Sequence, residues 1–250
     1  MNRLEDLHQR YQIQAAWTKT IRSRLLERVQ IEANDRLLEV GVGTGAILST
    51  TLIESECRGY GLDIDHQVTQ FAADLIPDAA FTTADGNWLP FVSEAFETVY
   101  CHFLLLWIAD PELVLHEMTR VTKQGGSVIV FAEPDYGGRI FYPQHMDKIG
   151  MLQTNALQQQ GADPFIGREL RALLNHTALV DVEIGILGGE WHDAMIEEHW
   201  KSEWMMLESD LAGTLSPEEI IRAKELDRIT WKERKRLVYV PTFYGCGKKR

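Results

Sequence analysis

Three glycines within five residues, Gly41-Val42-Gly43-Thr44-Gly45, follow the apolar run Leu37-Leu38-Glu39-Val40 and lead into a helix-forming stretch. Glycine takes up left-handed backbone without penalty and lets backbone amides approach a ligand, while the helix that follows turns its partially positive end toward the same spot. Strand, glycine turn and helix in that order predict a nucleotide or cofactor cradle at the end of a first strand. They also constrain the rest of the chain, because a strand followed by a helix returns most readily as a parallel neighbour.

The downstream pattern agrees. Short apolar runs at Leu37–Val40, Tyr60–Leu62, Ala80-Phe81, Thr98–Cys101 and Val128–Phe131 alternate with helical stretches, which predicts a mostly parallel sheet covered on both faces. Pro111 to Val121 reads as one of the crossover helices, with Leu113, Val114, Met118 and Val121 on one face and proline in the first turn. Residues 7–30 carry apolar groups at helical spacing and predict a single N-terminal amphipathic helix. A helix around 167–177 and a strand around 181–187 resume the alternation after an irregular stretch. Residues 191–235 read as two or three helices, and Leu237–Val240 with Phe243-Tyr244 as one last strand. The chain therefore divides into an N-terminal helical segment (1–35), a core (36–190) with an insertion at about 136–166, a helical cap insert (191–236) and a closing strand (237–250).

Composition narrows the function classes. No run approaches the roughly 18 apolar residues of a membrane span, and the first twenty residues lack the apolar centre of a secretory signal. Cys57, Cys101 and Cys246 are too few and too scattered for a disulfide framework or a zinc cluster. Cytoplasm is the expected location, with no metal. A net charge of −12 opposes an extended nucleic-acid footprint.

The glycine turn does not by itself name its cofactor. Gly41-x-Gly43-x-x-Ala46 also satisfies the dinucleotide fingerprint, and Asp63 stands near the ribose-binding distance of about 20 residues. An NAD(P)-dependent oxidoreductase is thus a second reading, and a non-catalytic cofactor-binding scaffold a third. Glu39 tips the balance, since a carboxylate at the lip of the turn repels a pyrophosphate and attracts an ammonium group. Asp63 and Ile64 end the second strand with a hydroxyl acceptor beside an apolar surface, and Asp85 follows the third.

From Leu37 to Glu133 the chain resembles the class I S-adenosylmethionine-dependent methyltransferases, in particular the small-molecule group that includes the ubiquinone and menaquinone methyltransferases. The resemblance is carried by Leu38–Gly45, Gly61-Leu62-Asp63-Ile64, Ala84-Asp85 with Leu89-Pro90-Phe91, and Glu117–Gly126. Glu97 and Gln124 depart from the common Asp and Pro of that pattern. The resemblance implies a Rossmann-like, mostly parallel seven-stranded sheet with helices on both faces, a helical cap and S-adenosylmethionine as cofactor. It implies that Glu39 lies near the amino-acid end of the cofactor and that Gly41, Val42, Gly43 and Gly45 line its ribose and methionine portions. Asp63 then holds the ribose, Ile64 packs on adenine, Asp85 with Gly86 and Asn87 meets the adenine amine, and Tyr11 closes over the site.

The expected reaction is methyl transfer to a small, partly apolar acceptor at an O, N or C atom. His102, just past the fourth strand, is the candidate general base, with a wall residue as the competing account. Glu133 and Tyr136, after the fifth strand, are candidate substrate contacts, although Pro134–Gly138 also reads as a plain turn. Trp191 and Trp204 in the cap are candidates for an apolar substrate pocket, and helix faces equally bury such residues as core.

Overall fold

The computed structural model describes residues 3–54, 56–188 and 197–250. Two helices come first, α1 (Arg3–Trp17) and α2 (Lys19–Val29), where the periodicity predicted one. The break falls at Thr18, which is buried and whose hydroxyl donates to the Ala15 carbonyl at 3.3 Å. Then follow β1 (Arg36–Val40), α3 (Ala46–Glu54), β2 (Arg58–Asp63), α4 (His66–Leu75), β3 (Ala80–Thr83), β4 (Phe96–Cys101), α5 (Pro111–Val121) and β5 (Thr122–Pro134). The insertion contributes β6 (Ile140–Tyr142) and α6 (His145–Gln159). The core resumes with α7 (Leu170–Asn175) and β7 (Leu179–Ile186), and the cap with α8 (Glu197–Asp210) and α9 (Pro217–Lys232). The chain closes with β8 (Leu237–Tyr239) and β9 (Thr242–Lys249).

Seven strands form one sheet in the order β3-β2-β1-β4-β5-β9-β7. Strands β1 to β5 pair in parallel, and β9 runs antiparallel to both of its neighbours. The expected closing strand is in fact two. Only β9 enters the main sheet, while β8 leaves it to pair with β6 in a separate two-stranded ribbon. That ribbon joins the insertion to the end of the cap.

The pleat sorts the central strands onto two cores, because successive side chains point to opposite faces. Leu38 and Val40, Val99 and Cys101, and Val128 and Val130 join Val114, Leu115 and Met118 of α5 with Leu170, Leu173 and Leu174 of α7. Leu37, Tyr100, Ile129 and Phe131 meet Ile21, Leu25 and Leu26 of α2 on the other face. Both faces are buried, so these strands read as continuous apolar runs. Helix starts are fixed locally: Asp65 accepts from the Gln67 amide at 2.8 Å and Asp110 from the Leu113 amide at 3.0 Å. Ser216 and Glu219 form a reciprocal capping box on α9.

The cap has its own core of Met146, Ile149, Trp200, Trp204, Leu207 and Leu211. At its centre the Asp227 carboxylate, fully buried, accepts from the indoles of Trp200 (2.8 Å) and Trp204 (2.7 Å) and from Arg236 Nε. A buried charge is tolerated when it is paired and its lone pairs are filled, which this arrangement achieves.

Candidate active site

At the C-terminal ends of the parallel strands lies a cavity of about 790 Å³. It begins at the glycine turn, runs past the end of β4 and widens beneath the cap. Open α/β sheets place ligands at this edge, where β1 and β4 diverge between their crossover helices.

The turn itself is held from below and from above. Gly41, Gly43 and Gly45 all have positive φ, at 75°, 50° and 79°, and the amides of Gly41 and Val42 donate to the Leu62 carbonyl. Gly43 also runs against the Tyr11 ring, so close that a Cβ there would sit 2.9 Å from it. Helix α1 is pinned over the turn by His8, whose Nδ1 lies 2.9 Å from Thr44 Oγ1. The far end of the same helix reaches the cap, where Arg10 donates to Ser209 Oγ at 2.9 Å. No periodicity in the sequence pointed to His8 or Arg10, since both contacts span distant segments.

Three carboxylates line the first part of the cavity. Glu39, one residue before the end of β1, has 1% of its surface exposed and accepts from the Tyr100 hydroxyl at 3.1 Å. Burial raises its pKa to about 8, against the opposing pull of the Tyr100 bond and the Arg22 charge. Asp63 accepts from the amides of Gly43 (2.9 Å) and Asp65 (3.0 Å), one on each oxygen, which orients it and leaves lone pairs for a ligand. Asp85 accepts from the backbone and side-chain nitrogens of Asn87, both at 2.9 Å. Ile64, 71% exposed, presents an apolar face beside Asp63 on the same wall. Tyr11, Gly41, Val42, Gly43 and Asn87 also border the cavity; Gly45 and Gly86 do not. Gly45 instead packs under α4, where a Cβ would meet Ile76 and Ala72.

His102 reaches the wall, but as a neutral ring. Its Nε2 lies 2.8 Å from Thr18 Oγ1, which also accepts from Arg22 at 3.2 Å. Burial, reinforced by the Arg22 charge, lowers its pKa to about 3. With Nε2 already engaged by Thr18 and the ring resisting protonation, the structure favours the wall-residue account of His102 over the general base. The reason lies in the break between α1 and α2, which delivers Thr18 and Arg22 to this ring.

Glu133 also departs from expectation. Its side chain is fully buried off the cavity and accepts from the amides of Leu104 (3.0 Å), Leu105 (2.9 Å) and Leu106 (3.2 Å). It is an anchor for the loop after β4, not a substrate contact. That loop then supplies Phe103, Leu104, Leu106 and Trp107 to the cavity wall. Phe103 sits at φ 50°, a strained geometry for a bulky residue that aims the loop inward.

Tyr136 does border the wider chamber. Trp204 does not, because its ring belongs to the cap core and its N–H is spent on Asp227. Trp191 lies outside the described residues. The chamber is lined instead by Phe141, Met146, Leu157, Met206, Leu207 and Val238, with Gln153, Glu203, Asp210 and Arg236 as its polar members. Asp135, next to Tyr136 in the chain, turns away and pairs with Arg168 at 2.6 Å.

Residues 38–130 match the family described as Methyltransferase domain. A phosphatidylethanolamine N-methyltransferase of Cereibacter sphaeroides is 36% identical over 101 residues, covering 38% of this chain and 49% of that protein. A demethylmenaquinone methyltransferase of Renibacterium salmoninarum is 27% identical over 159 residues, covering 62% of this chain and 67% of that one. The chain spans about half the length of the first of these relatives. Among solved structures, phosphoethanolamine N-methyltransferase 2 of Haemonchus contortus, in complex with phosphomonomethylethanolamine and S-adenosylhomocysteine, superposes with a TM-score of 0.59 at 14% identity. That match covers 90% of this chain and 51% of the other.

Proposed function

We propose that the protein, whose residues 38–130 match the Methyltransferase domain family, transfers a methyl group from S-adenosylmethionine to a small, partly apolar acceptor in the chamber beneath the cap. The observation that carries the reading is the continuity of one cavity from the acceptor-rich wall of Glu39, Asp63 and Asp85 to the apolar chamber. That wall suits a ligand bearing an ammonium group, ribose hydroxyls and an exocyclic amine. It does not suit a pyrophosphate, which calls for donors and positive charge.

The residues present fit this cofactor: Glu39 toward its amino-acid end, Asp63 at its ribose, Ile64 on the adenine face and Asp85 with Asn87 at the adenine edge. When bound, it supplies an electrophilic methyl group on a sulfonium sulfur. The protein's part is alignment and exclusion of water. Phe103, Leu104, Leu106 and Trp107 line the passage between the two halves of the cavity, and His102 beside them stays uncharged. A wall without a fixed cation at this point leaves the sulfonium unopposed.

Cys57, Cys101 and Cys246 are thiols, in keeping with the cytoplasmic setting we propose. No helix among the described residues is long and apolar enough to cross a membrane, and the acidic surface argues against nucleic acid as the acceptor. Isothermal titration with S-adenosylmethionine and, separately, with NAD tests the reading. Binding of the first alone is expected; binding of NAD alone overturns it in favour of an oxidoreductase.

A further inference from the structure

We propose that Asp210 is the group that recognises the acceptor, taking a hydrogen bond from a hydroxyl or ammonium group on an otherwise apolar molecule. The proposal deepens the methyltransferase reading and rests on it for the word acceptor, but the binding site it describes stands on separate residues.

Asp210 is the last residue of α8 and is 8% exposed, yet it borders the chamber. The position is unfavourable for a carboxylate twice over. It is buried, and it sits at the partially negative end of a helix, where a cation is the stabilising choice. The protein nevertheless builds a support around it. Gln153 of α6 donates from Nε2 to Asp210 Oδ2 at 2.7 Å, and the same amide accepts from Arg139 Nη2 through Oε1 at 3.2 Å. Arg139 thereby sets which way the amide faces, since only its oxygen can receive the guanidinium. Arg139 is itself held over the rings of Tyr136 (4.8 Å) and Phe141 (4.9 Å).

Gln153 satisfies one oxygen of Asp210, and among the described residues the other receives no side-chain or backbone donor. The charged and titratable groups around it are Arg10 from α1 and Arg139 and Tyr136 from the segment after β5. Neither arginine has a hydrogen bond to the carboxylate. Arg236, the remaining cation on this part of the wall, is matched by Asp227 at 2.8 Å and Glu203 at 2.6 Å. The apolar lining of the chamber includes Phe141, Met146, Leu157, Met206, Leu207 and Val238. An oriented acceptor with an open oxygen in an apolar chamber selects a ligand that brings a donor, and it rejects an anion.

Four probes of one shape test this: 4-butylbenzyl alcohol, 4-butylbenzylamine, 4-butyltoluene and 4-butylbenzoate. Binding is read by quenching of tryptophan emission, because Trp17 (47% exposed) and Trp107 (48% exposed) line the cavity. The wild-type protein is expected to bind the alcohol, the amine or both about tenfold or more tighter than the toluene, and the benzoate no tighter than the toluene. Which of the two donors prevails identifies the acceptor group. Asp210→Leu is expected to reduce the preference to within about twofold. A benzoate that binds as well as the alcohol and the amine overturns the proposal, as does a folded Asp210→Leu variant that keeps the wild-type ranking. Should that variant not fold, the wild-type ranking decides. Calorimetry with S-adenosylhomocysteine is run alongside: its failure removes the methyltransferase reading, while the probe ranking still reports on Asp210.

Discussion

The cofactor side of the cavity makes a quantitative prediction through Glu39. Its carboxyl is held at a pKa of about 8 by burial, with the Tyr100 bond, the Arg22 charge and a backbone bond at Leu48 opposing, and nearby Asp63 adding to the upward push. An ammonium group at this position favours the ionised form, so a ligand that places one there expels the proton. The sign follows: below about pH 8 the free protein carries a proton that the complex gives up, so affinity climbs with pH toward about 8 and holds a plateau above it while the ligand's own ammonium stays protonated. Each unit below that point costs up to a factor of ten, or about 1.4 kcal/mol, and the affinity at pH 6 is expected to fall as much as about a hundredfold below the plateau. Calorimetry with S-adenosylhomocysteine at pH 6, 7, 8 and 9, in two buffers of different ionisation enthalpy, measures both affinity and proton release. About one proton released at pH 6 and little at pH 9 is the expected pattern. Glu39→Gln is expected to bind more weakly and without the slope. A wild-type affinity independent of pH with no proton released refutes the reasoning, and so does a Gln variant that keeps the slope. The same group bears on the unliganded fold: its raised pKa means stability is lost as pH rises from about 4.5 toward 8, because the unfolded chain ionises first.

Three further outcomes are expected. Glu133→Leu strands three amides that now share one carboxylate; at about 1 kcal/mol or more each the urea-unfolding free energy is expected to drop by about 3–5 kcal/mol, with Glu133→Gln falling less. Asp227→Ala strands two indoles and takes from Arg236 one of its two carboxylates, leaving Glu203, a loss of about 3–5 kcal/mol for a broken buried pair, read as a lower melting temperature and an altered near-ultraviolet tryptophan band. His102, held neutral near pKa 3, is expected to show no change in its ring-proton NMR shift between pH 5 and 8; a midpoint near 6.5 contradicts its assignment as an uncharged wall residue.

The fold was legible because its signals are local. The glycine turn, the apolar runs and Pro111–Val121 each lie within a dozen consecutive residues, and helix α5 spans the very residues that its periodicity marks. The N-terminal segment misled for a physical reason: helical spacing continues across Thr18, and the break is tied to the tertiary bond of Thr18 to His102 together with its local bond back to Ala15. The closing segment misled likewise, since the alternation of 237–244 does not disclose that β8 pairs with β6, nearly a hundred residues earlier.

The two halves of the candidate site differ in the same way, and the difference is chemical. Glu39, Asp63 and Asp85 stand at strand ends, where the sheet brings them to one edge whatever the loops do, so their positions follow from the alternation alone. The acceptor side is built from the insertion and the cap, and there residue type is a poor guide. Glu133, Trp204 and His102 carry the chemistry that a substrate site would use, yet each is consumed by a neighbour: three amides, a buried carboxylate, a threonine and an arginine. A buried polar group is satisfied first and becomes available for function only if a valence is left over. Asp210 and Gln153, unremarkable in the sequence, meet that condition because α6 and α8 converge at the chamber wall and leave one carboxylate oxygen unspent. Residual hydrogen-bonding capacity, more than residue type, is therefore the property that separates a substrate contact from a structural one on this side of the cavity.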